Sequence, residues 1–211
     1  MAADDPRPHT RIVKLEKLYK GQVPFEIREL DRTTWPDFVR IMEKHGGVWG
    51  GCWCVEFHLV RGQPQEMGLS RRALKEKLVR ANRSHAALVY DDGDIVGWCQ
   101  FGPPSELPAR MGGFSKLGAR APDWRITCFF VDRDHRKQGV SAAALKGALQ
   151  LIAAGGGGTV DGYPTSTRGK PYSSSFLWAG TESMFAGTGF KLLGALGKTK
   201  LVMRKVVRAR R

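Results

Sequence analysis

The segment Arg136-Lys137-Gln138-Gly139-Val140-Ser141 combines residue types that can hold a phosphate group. It joins a short apolar run, TCFFV, to an apolar stretch with helical periodicity. A helix N-terminus presents unpaired backbone N–H groups and a partial positive charge, so phosphate oxygens bind there readily. Arg136 and Lys137 add cationic donors, and Gly139 removes the side chain where a ligand must approach closely. The segment therefore predicts a phosphate-binding loop; the alternative is a plain strand-to-helix turn with basic surface residues.

The cysteines are a second group with possible chemistry. Four in 211 residues are too few for a disulfide framework, which indicates a reducing compartment. Cys52, Cys54 and His58 supply three metal ligands where a structural zinc site needs four, and the two-cysteine knuckles of such sites usually have a wider spacing. We therefore predict no metal site, with both cysteines packed around Trp53. Cys128 is predicted to be a small buried side chain, with a catalytic thiol as the alternative.

The elements before the loop follow from periodicity. Residues 24–30 alternate apolar and polar side chains, which predicts a half-buried strand, and Trp35-Pro36 is typical of a helix start. Ser70 is predicted to cap a second, charged helix. The runs 86–90 and 95–101 flank Asp91-Asp92-Gly93-Asp94, so they predict an antiparallel hairpin.

The remaining elements alternate strand and helix. The pattern first predicts a strand that ends at residue 131 and is buried on both faces. A helix follows, in which Leu145, Leu149 and Ile152 share one face and which ends at Gly155. The last predicted elements are a strand over 159–164, a short helix over 178–185 and two strands in FKLLGAL and KLVMRKVV. The Pro- and Gly-rich residues 102–123 predict a functional loop. The sequence thus predicts an α/β protein.

Composition narrows the class of protein. The length favours one domain, and 42% hydrophobic residues suffice for a globular core. The 34 Lys and Arg against 20 Asp and Glu give a net charge of +14, which favours an anionic partner: nucleic acid, a membrane surface or a phosphorylated cofactor. The sequence has no run of about 18 to 20 apolar residues, and its start, MAADDPRPH, is unlike a signal peptide. We therefore expect a cytoplasmic protein that does not enter a membrane.

The loop also carries a resemblance to a known family. Arg136-x-x-Gly139-x-Ser141, between a strand and a helix, resembles the Q/R-x-x-G-x-G/A pyrophosphate loop of the GNAT acetyltransferases, with Ser141 in place of the usual small third residue. The element order over 24–207 and the Gly189-Phe190 pair before the last two strands resemble that family as well. The combination of CWC, CFFV, YP and SMF…GF is similar to a bacterial subgroup of it. The resemblance implies a mixed, mostly antiparallel central sheet with a splayed parallel strand pair, flanked by helices.

The resemblance also implies a cofactor site and a reaction. Acetyl-CoA would be the co-substrate, with its pantetheine arm in the opening between the splayed strands. The residues implied to bind it are Phe129, Phe130 and Val131 on the first splayed strand and Arg136, Lys137, Gln138, Gly139, Val140 and Ser141 in the loop. The acceptor amine would come from the opposite side of the sheet and attack the thioester carbonyl directly in a ternary complex. Positioning and a strand N–H that polarises the carbonyl would supply most of the rate.

Two positions depart from the family pattern. Many members place a Glu six residues before the final Val of that strand, where this chain has Arg125, and a Tyr four residues before the Gly of "GF", where it has Phe185. The general base and the general acid are therefore not assigned by the resemblance. The substitute candidates are Tyr163, Tyr172, Glu182 and Asp132.

The sequence supports two classes of function. The first is an acetyl-CoA-dependent N-acetyltransferase with a small-molecule or peptide amine as substrate. The alternative is a non-catalytic GNAT-like basic module that binds nucleic acid or another anion, although basic and aromatic residues do not interleave as in single-strand binders. Trp49, Trp53 and Trp98 could line an acceptor pocket or fill the core.

The domain boundaries follow from the same pattern. We predict an N-terminal arm over 1–22, which could be disordered or a short amphipathic helix, one acetyltransferase domain over 23–207 and a basic tail over 208–211. Whether the chain forms a homodimer stays open.

Overall fold

Strands and helices alternate along the chain much as the hydrophobic pattern predicts. The computed structural model describes residues 10–14, 25–48, 50–60, 69–109, 114–167 and 177–210. The strands of these residues are β1 Ile12–Lys14, β2 Glu26–Glu29, β3 His85–Asp91, β4 Asp94–Gly102, β5 Trp124–Val131, β6 Gly158–Gly162, β7 Lys191–Ala195 and β8 Leu201–Val207. The α-helices are α1 Trp35–Lys44, α2 Arg71–Arg80, α3 Val140–Ala154 and α4 Glu182–Gly187.

The strands pair into one sheet in the order β1-β2-β3-β4-β5-β6-β8-β7. The β5–β6 pair is parallel and the other neighbours are antiparallel. The β3–β4 hairpin turns at Asp91–Asp94, as predicted. The mixed, mostly antiparallel sheet with flanking helices confirms the predicted fold class.

Each face of the sheet carries its own core. On one face, Ile27, Ile126 and Phe129 pack with the apolar side of α3. On the other, Trp98 and Cys128 pack with Phe38 and its neighbours on α1. Successive residues of a strand point to opposite faces, so Cys128 and Phe129 enter different cores and β5 is buried on both sides, as predicted.

Local signals set most helix ends. Ser70 accepts a hydrogen bond from the N–H of Ala73 (3.2 Å) and caps α2, and α3 ends before Gly155, both as predicted. The predicted start of the last helix at residue 178 is wrong. Gly180 has a φ of +77°, which interrupts helical geometry, and Thr181 caps α4 by accepting from the N–H of Met184 (3.3 Å). Strand β6 ends at Gly162, earlier than predicted.

The described parts of both predicted terminal segments contact the domain. Within the predicted arm, Ile12–Lys14 forms β1 and extends the sheet beside β2; residues 1–9 and 15–24 lie outside the described residues. Within the predicted basic tail, the N–H of Arg210 donates to the carbonyl oxygen of Ala153 (2.8 Å). No helix of the described ranges is long and apolar enough to cross a membrane.

Candidate active site

The loop between β5 and α3 has the geometry of an anion site. Gly139 caps α3 in the left-handed region, with a φ of +85°, and a Cβ at this position would meet nothing within 4 Å. The helix begins at Val140, so its first N–H groups have no acceptor within the helix. Val140 sits against Gly97 of β4, where a Cβ would come within 2.7 Å of the valine side chain. This close approach fixes the helix start at the end of β5.

Asp132 ties the loop to α1. It is 3% exposed and follows β5 directly. Its carboxylate accepts from Lys44 Nζ (2.6 Å) and from the N–H of Asp134 (3.2 Å). Burial works against ionisation of Asp132, but these hydrogen bonds keep its pKa below the usual value. The contacts give Asp132 an anchoring role.

The parallel strands β5 and β6 separate after a short paired stretch. Their register runs from Trp124↔Val160 to Ile126↔Gly162 and stops there. Beyond that point, residues 177–180 lie between the segments that continue from β5 and β6. The N–H of Phe129 donates to the carbonyl oxygen of Trp178 (2.7 Å), and the N–H of Thr165 donates to that of Gly180 (3.0 Å). The opening between the splayed strands is therefore present, and part of it holds the chain's own backbone.

A cavity of about 450 Å³ lies beside Cys128, and we call it the thiol cavity. It is lined by three cysteines, two aromatic side chains, a charged pair and a glycine, which are Cys52, Cys54, Cys128, Phe57, Trp178, Glu56, Arg71 and Gly50. The rings of Phe57 and Trp178 lie 5.7 Å apart, and Arg71 is ion-paired with Glu56. The volume and the apolar walls with a few polar groups are typical of small-molecule sites.

Cys52 and Cys54 lie on a turn and face one cavity. Trp53 and Cys54 have φ values of +46° and +51°. The N–H of Cys54 donates to Cys52 Sγ (3.4 Å), and both side chains line the thiol cavity with Cys128. Trp53 packs beside Trp35 and Phe38, as core packing predicts.

Lys75 lies behind the three thiols. It is 1% exposed, although the charged helix α2 predicts a solvated lysine, and its Nζ donates to Ser84 Oγ (2.7 Å). Ser84 Oγ lies 3.1 Å from His58 Nε2, and His58 Nδ1 lies 2.8 Å from the carbonyl oxygen of Glu106. Burial lowers the pKa of Lys75 to about 8 and that of His58 to about 3, so His58 is neutral. The spacing of Lys75 and Val79, one helical turn apart, was the available signal for a buried face.

The predicted catalytic candidates do not converge on one point. Tyr163 is 4% exposed, burial raises its pKa to about 12, and it lies beside Arg125. Glu182 accepts a hydrogen bond from Ser166 Oγ (2.9 Å) at the start of α4. Tyr172 falls outside the described residues, as does Trp49. The roles of the two tyrosines and Glu182 stay predictions.

The two positions that depart from the family pattern have structural partners. Arg125 Nη1 donates to the carbonyl oxygens of Leu107 (2.6 Å) and Ala109 (3.1 Å). Phe185 is fully buried and packs edge-on against Phe129 and Phe190. Neither lines the thiol cavity. Phe57 and Trp178 are site residues that the sequence did not indicate, because tertiary contacts rather than local periodicity bring them there.

The parallel strand pair that separates after Ile126 and the Gly139 loop at the start of α3 lie where the sequence resemblance implies them. A model of the Acetyltransferase (GNAT) family matches residues 29–160, more than half of the chain, and the chain belongs to this family. By class it is an N-acetyltransferase. The family generally uses acetyl-CoA as co-substrate.

One solved structure shares the fold, and two others show a weaker likeness. A structure of histone acetyltransferase HPA2 and related acetyltransferase from Corynebacterium glutamicum is 20% identical, with a TM-score of 0.52 over 88% of this chain and 97% of that one. An acetyltransferase assigned to the GNAT family from Desulfovibrio desulfuricans is 17% identical, with a TM-score of 0.49 over 87% and 99%. An N-acetyltransferase from Staphylococcus aureus is 10% identical, with a TM-score of 0.48 over 87% and 97%. No curated protein matches the chain. The likeness to a bacterial subgroup stays a prediction.

Proposed function

We propose that this chain transfers the acetyl group of acetyl-CoA to the amine of a small molecule in the thiol cavity, by direct attack in a ternary complex. The observation that carries this proposal is the meeting of the two half-sites on consecutive residues of β5. Phe129 presents its N–H to the opening between the splayed strands, and Cys128 lines the cavity. A donor and an acceptor held there lie within reach of one another.

The donor side uses backbone groups and the loop. The pyrophosphate of acetyl-CoA binds at the start of α3, where Gly139 leaves open space and Arg136 and Lys137 supply positive charge. The thioester carbonyl oxygen accepts a hydrogen bond from the N–H of Phe129 and replaces the Trp178 carbonyl oxygen as the acceptor. That hydrogen bond strengthens as negative charge builds on the thioester oxygen, so it stabilises the transition state.

The acceptor side favours a small amine. The cavity volume of about 450 Å³ matches a compact ligand, and a peptide amine is the alternative outcome of the test. Phe57 and Trp178 supply apolar walls for the body of the ligand, and Arg71 and Glu56 can orient a polar group. The amine then points toward Cys128 and the thioester beyond it.

Two measurements test the proposal together. Calorimetry should show that acetyl-CoA binds the wild type, and release of CoA from acetyl-CoA should require an amine from a panel of small amines and short peptides. Phe57→Ala should raise the KM of the amine about tenfold without changing the affinity for acetyl-CoA. Leu192→Ala, at an exposed apolar position on β7, is the matched control and should change neither. Failure to bind acetyl-CoA contradicts the proposal, and turnover of peptides alone contradicts the small-amine acceptor.

A further inference from the structure

We propose that Cys128 is the base that takes the proton of the acceptor amine, with Lys75 and Lys200 as positioning residues that hold positive charge beside its sulfur. The role rests on the proposed acetyl transfer. It supplies the proton acceptor that position 125 lacks, since the Arg125 guanidinium is hydrogen-bonded to the carbonyl oxygens of Leu107 and Ala109.

The location of Cys128 is the first argument. Its side chain is 5% exposed and lines the thiol cavity, and the next residue along β5 is Phe129, whose N–H faces the opening for the thioester. An amine that approaches the thioester from the cavity therefore passes the Cys128 sulfur. A base must lie within hydrogen-bond reach of the proton it removes, and among the cavity thiols Cys128 is the one on the reacting strand.

The charges around this sulfur are the second argument. Lys75 and Lys200 both interact electrostatically with Cys128 from different elements, α2 and the turn before β8. Lys75 is fully buried, and Lys200 lies with its Nζ 4.1 Å from the ring centre of Trp178. Burial lowers the pKa of both lysines, and a neighbouring anion offsets that cost. Positive charge near the sulfur offsets negative charge on it.

The two other thiols act as donors. Burial and a hydrogen bond to Cys128 raise the pKa of Cys54, and a hydrogen bond to Cys54 raises that of Cys52. Both therefore keep their protons. An S–H group of Cys54 that donates to Cys128 stabilises negative charge on the Cys128 sulfur. The cluster thus places two thiols that keep their protons around the Cys128 sulfur.

The proposed step balances in atoms and charge. The ammonium form of the acceptor gives one proton to the Cys128 thiolate, which leaves a neutral amine and a neutral thiol. The amine nitrogen then bonds to the thioester carbon while the carbon–sulfur bond to CoA breaks. CoA leaves as a thiolate and takes the second proton of the nitrogen, and the Cys128 thiol returns its proton to solvent. The products are the amide, CoA and one released proton.

Kinetics of full-length variants test this role. Cys128→Ala and Cys128→Ser should each lower kcat/KM about 10²-fold or more, with unchanged affinity for acetyl-CoA. Cys128→Asp, which restores a basic group, should recover part of the rate and move the low-pH limb of the profile to lower pH. Lys75→Met keeps an apolar stem of similar length and should move that limb to higher pH. Cys99→Ala is the matched control, because Cys99 is also a buried cysteine but packs on the α3 face.

Wild-type labelling keeps the test independent of variant folding. Iodoacetamide, followed by peptide mapping, should modify Cys128 faster than Cys99, and a substrate amine should protect it. Turnover of Cys128→Ala within threefold of wild type, or an unshifted pH profile in Cys128→Asp, would overturn the base role while acetyl transfer stands. An acetyl group recovered on Cys128 without amine would also overturn it, because the sulfur would then be a nucleophile. A wild type that does not bind acetyl-CoA overturns the proposed function and this role with it.

Discussion

The N–H of Phe129 donates a hydrogen bond of 2.7 Å to the carbonyl oxygen of Trp178. This N–H faces the opening between the splayed strands, where the proposed thioester carbonyl binds. The two carbonyls compete for one donor, so residues 177–180 must shift when acetyl-CoA binds. The Trp178 indole lies beside Phe57 and Lys200, and the shift changes its surroundings.

Tryptophan fluorescence should report this displacement. Acetyl-CoA should change the emission of the wild type more than CoA does, because only acetyl-CoA carries the competing carbonyl. Trp178→Phe should remove most of the difference. Trp124→Phe, in which the lost indole donates to the Gly157 carbonyl instead, is the matched control and should keep it. Equal responses to acetyl-CoA and CoA would contradict the displacement.

Gly139, in the loop between β5 and α3, allows a test that separates backbone strain from ligand contact. Gly139→Ala should cost about 1 kcal/mol of folding free energy, because an L-residue is strained at a φ of +85°. It should also weaken acetyl-CoA binding at least tenfold, because the added methyl group occupies the open space beside the helix start. Calorimetry and urea unfolding measure the two effects.

Gly93 provides a close control for Gly139. Its φ is +86°, and a Cβ there also meets nothing within 4 Å, but it lies in the β3–β4 turn. Gly93→Ala should show a similar loss of stability and unchanged affinity for acetyl-CoA. If both variants bind acetyl-CoA equally well, the loop does not hold the pyrophosphate.

The sequence predicted those parts of the site that depend on local signals. Gly139 at a strand-to-helix junction and the apolar run of β5 are visible in a short window, and both lie where expected. The turn at Trp53 and Cys54 was missed, because neither residue type favours left-handed backbone, and the meeting of Cys52 and Cys54 with Cys128 depends on tertiary packing. The position of residues 177–180 between the splayed strands depends on tertiary hydrogen bonds, from the N–H of Phe129 to the Trp178 carbonyl oxygen and from the N–H of Thr165 to that of Gly180, which no local pattern indicates.

His85 should make stability depend on pH. Burial lowers its pKa, but the carboxylates of Glu106 (3.1 Å) and Glu29 (3.7 Å) outweigh burial and raise it to about 9. Because the folded-state pKa lies above the unfolded value of 6.5, this stabilisation is complete below the unfolded value and is lost as pH rises through about 9. It amounts to at most about 3 kcal/mol.

Urea unfolding at about pH 6 and about pH 10 measures this contribution. The wild type should lose more free energy of unfolding between the two conditions than His85→Gln, which keeps hydrogen-bonding groups but does not titrate. The other titrating groups are the same in both proteins, so their contributions to the free energy of unfolding cancel in the comparison. Equal losses in the two proteins would show that His85 is not held in its charged form.

The last prediction concerns the pair that fixes β6 where it leaves β5. Asp161 is fully buried and accepts two hydrogen bonds from Arg204 of β8, at 2.7 and 2.8 Å. Arg204→Met leaves the Asp161 carboxylate buried without its cation and should cost about 3 to 5 kcal/mol. The double variant Asp161→Leu with Arg204→Met removes the charge as well and should recover most of that loss, measured by urea unfolding. Arg208→Met, at an exposed position just after β8, should have no effect. A double variant as unstable as Arg204→Met would mean that the lost packing of the arginine, and not the unpaired carboxylate, causes the damage.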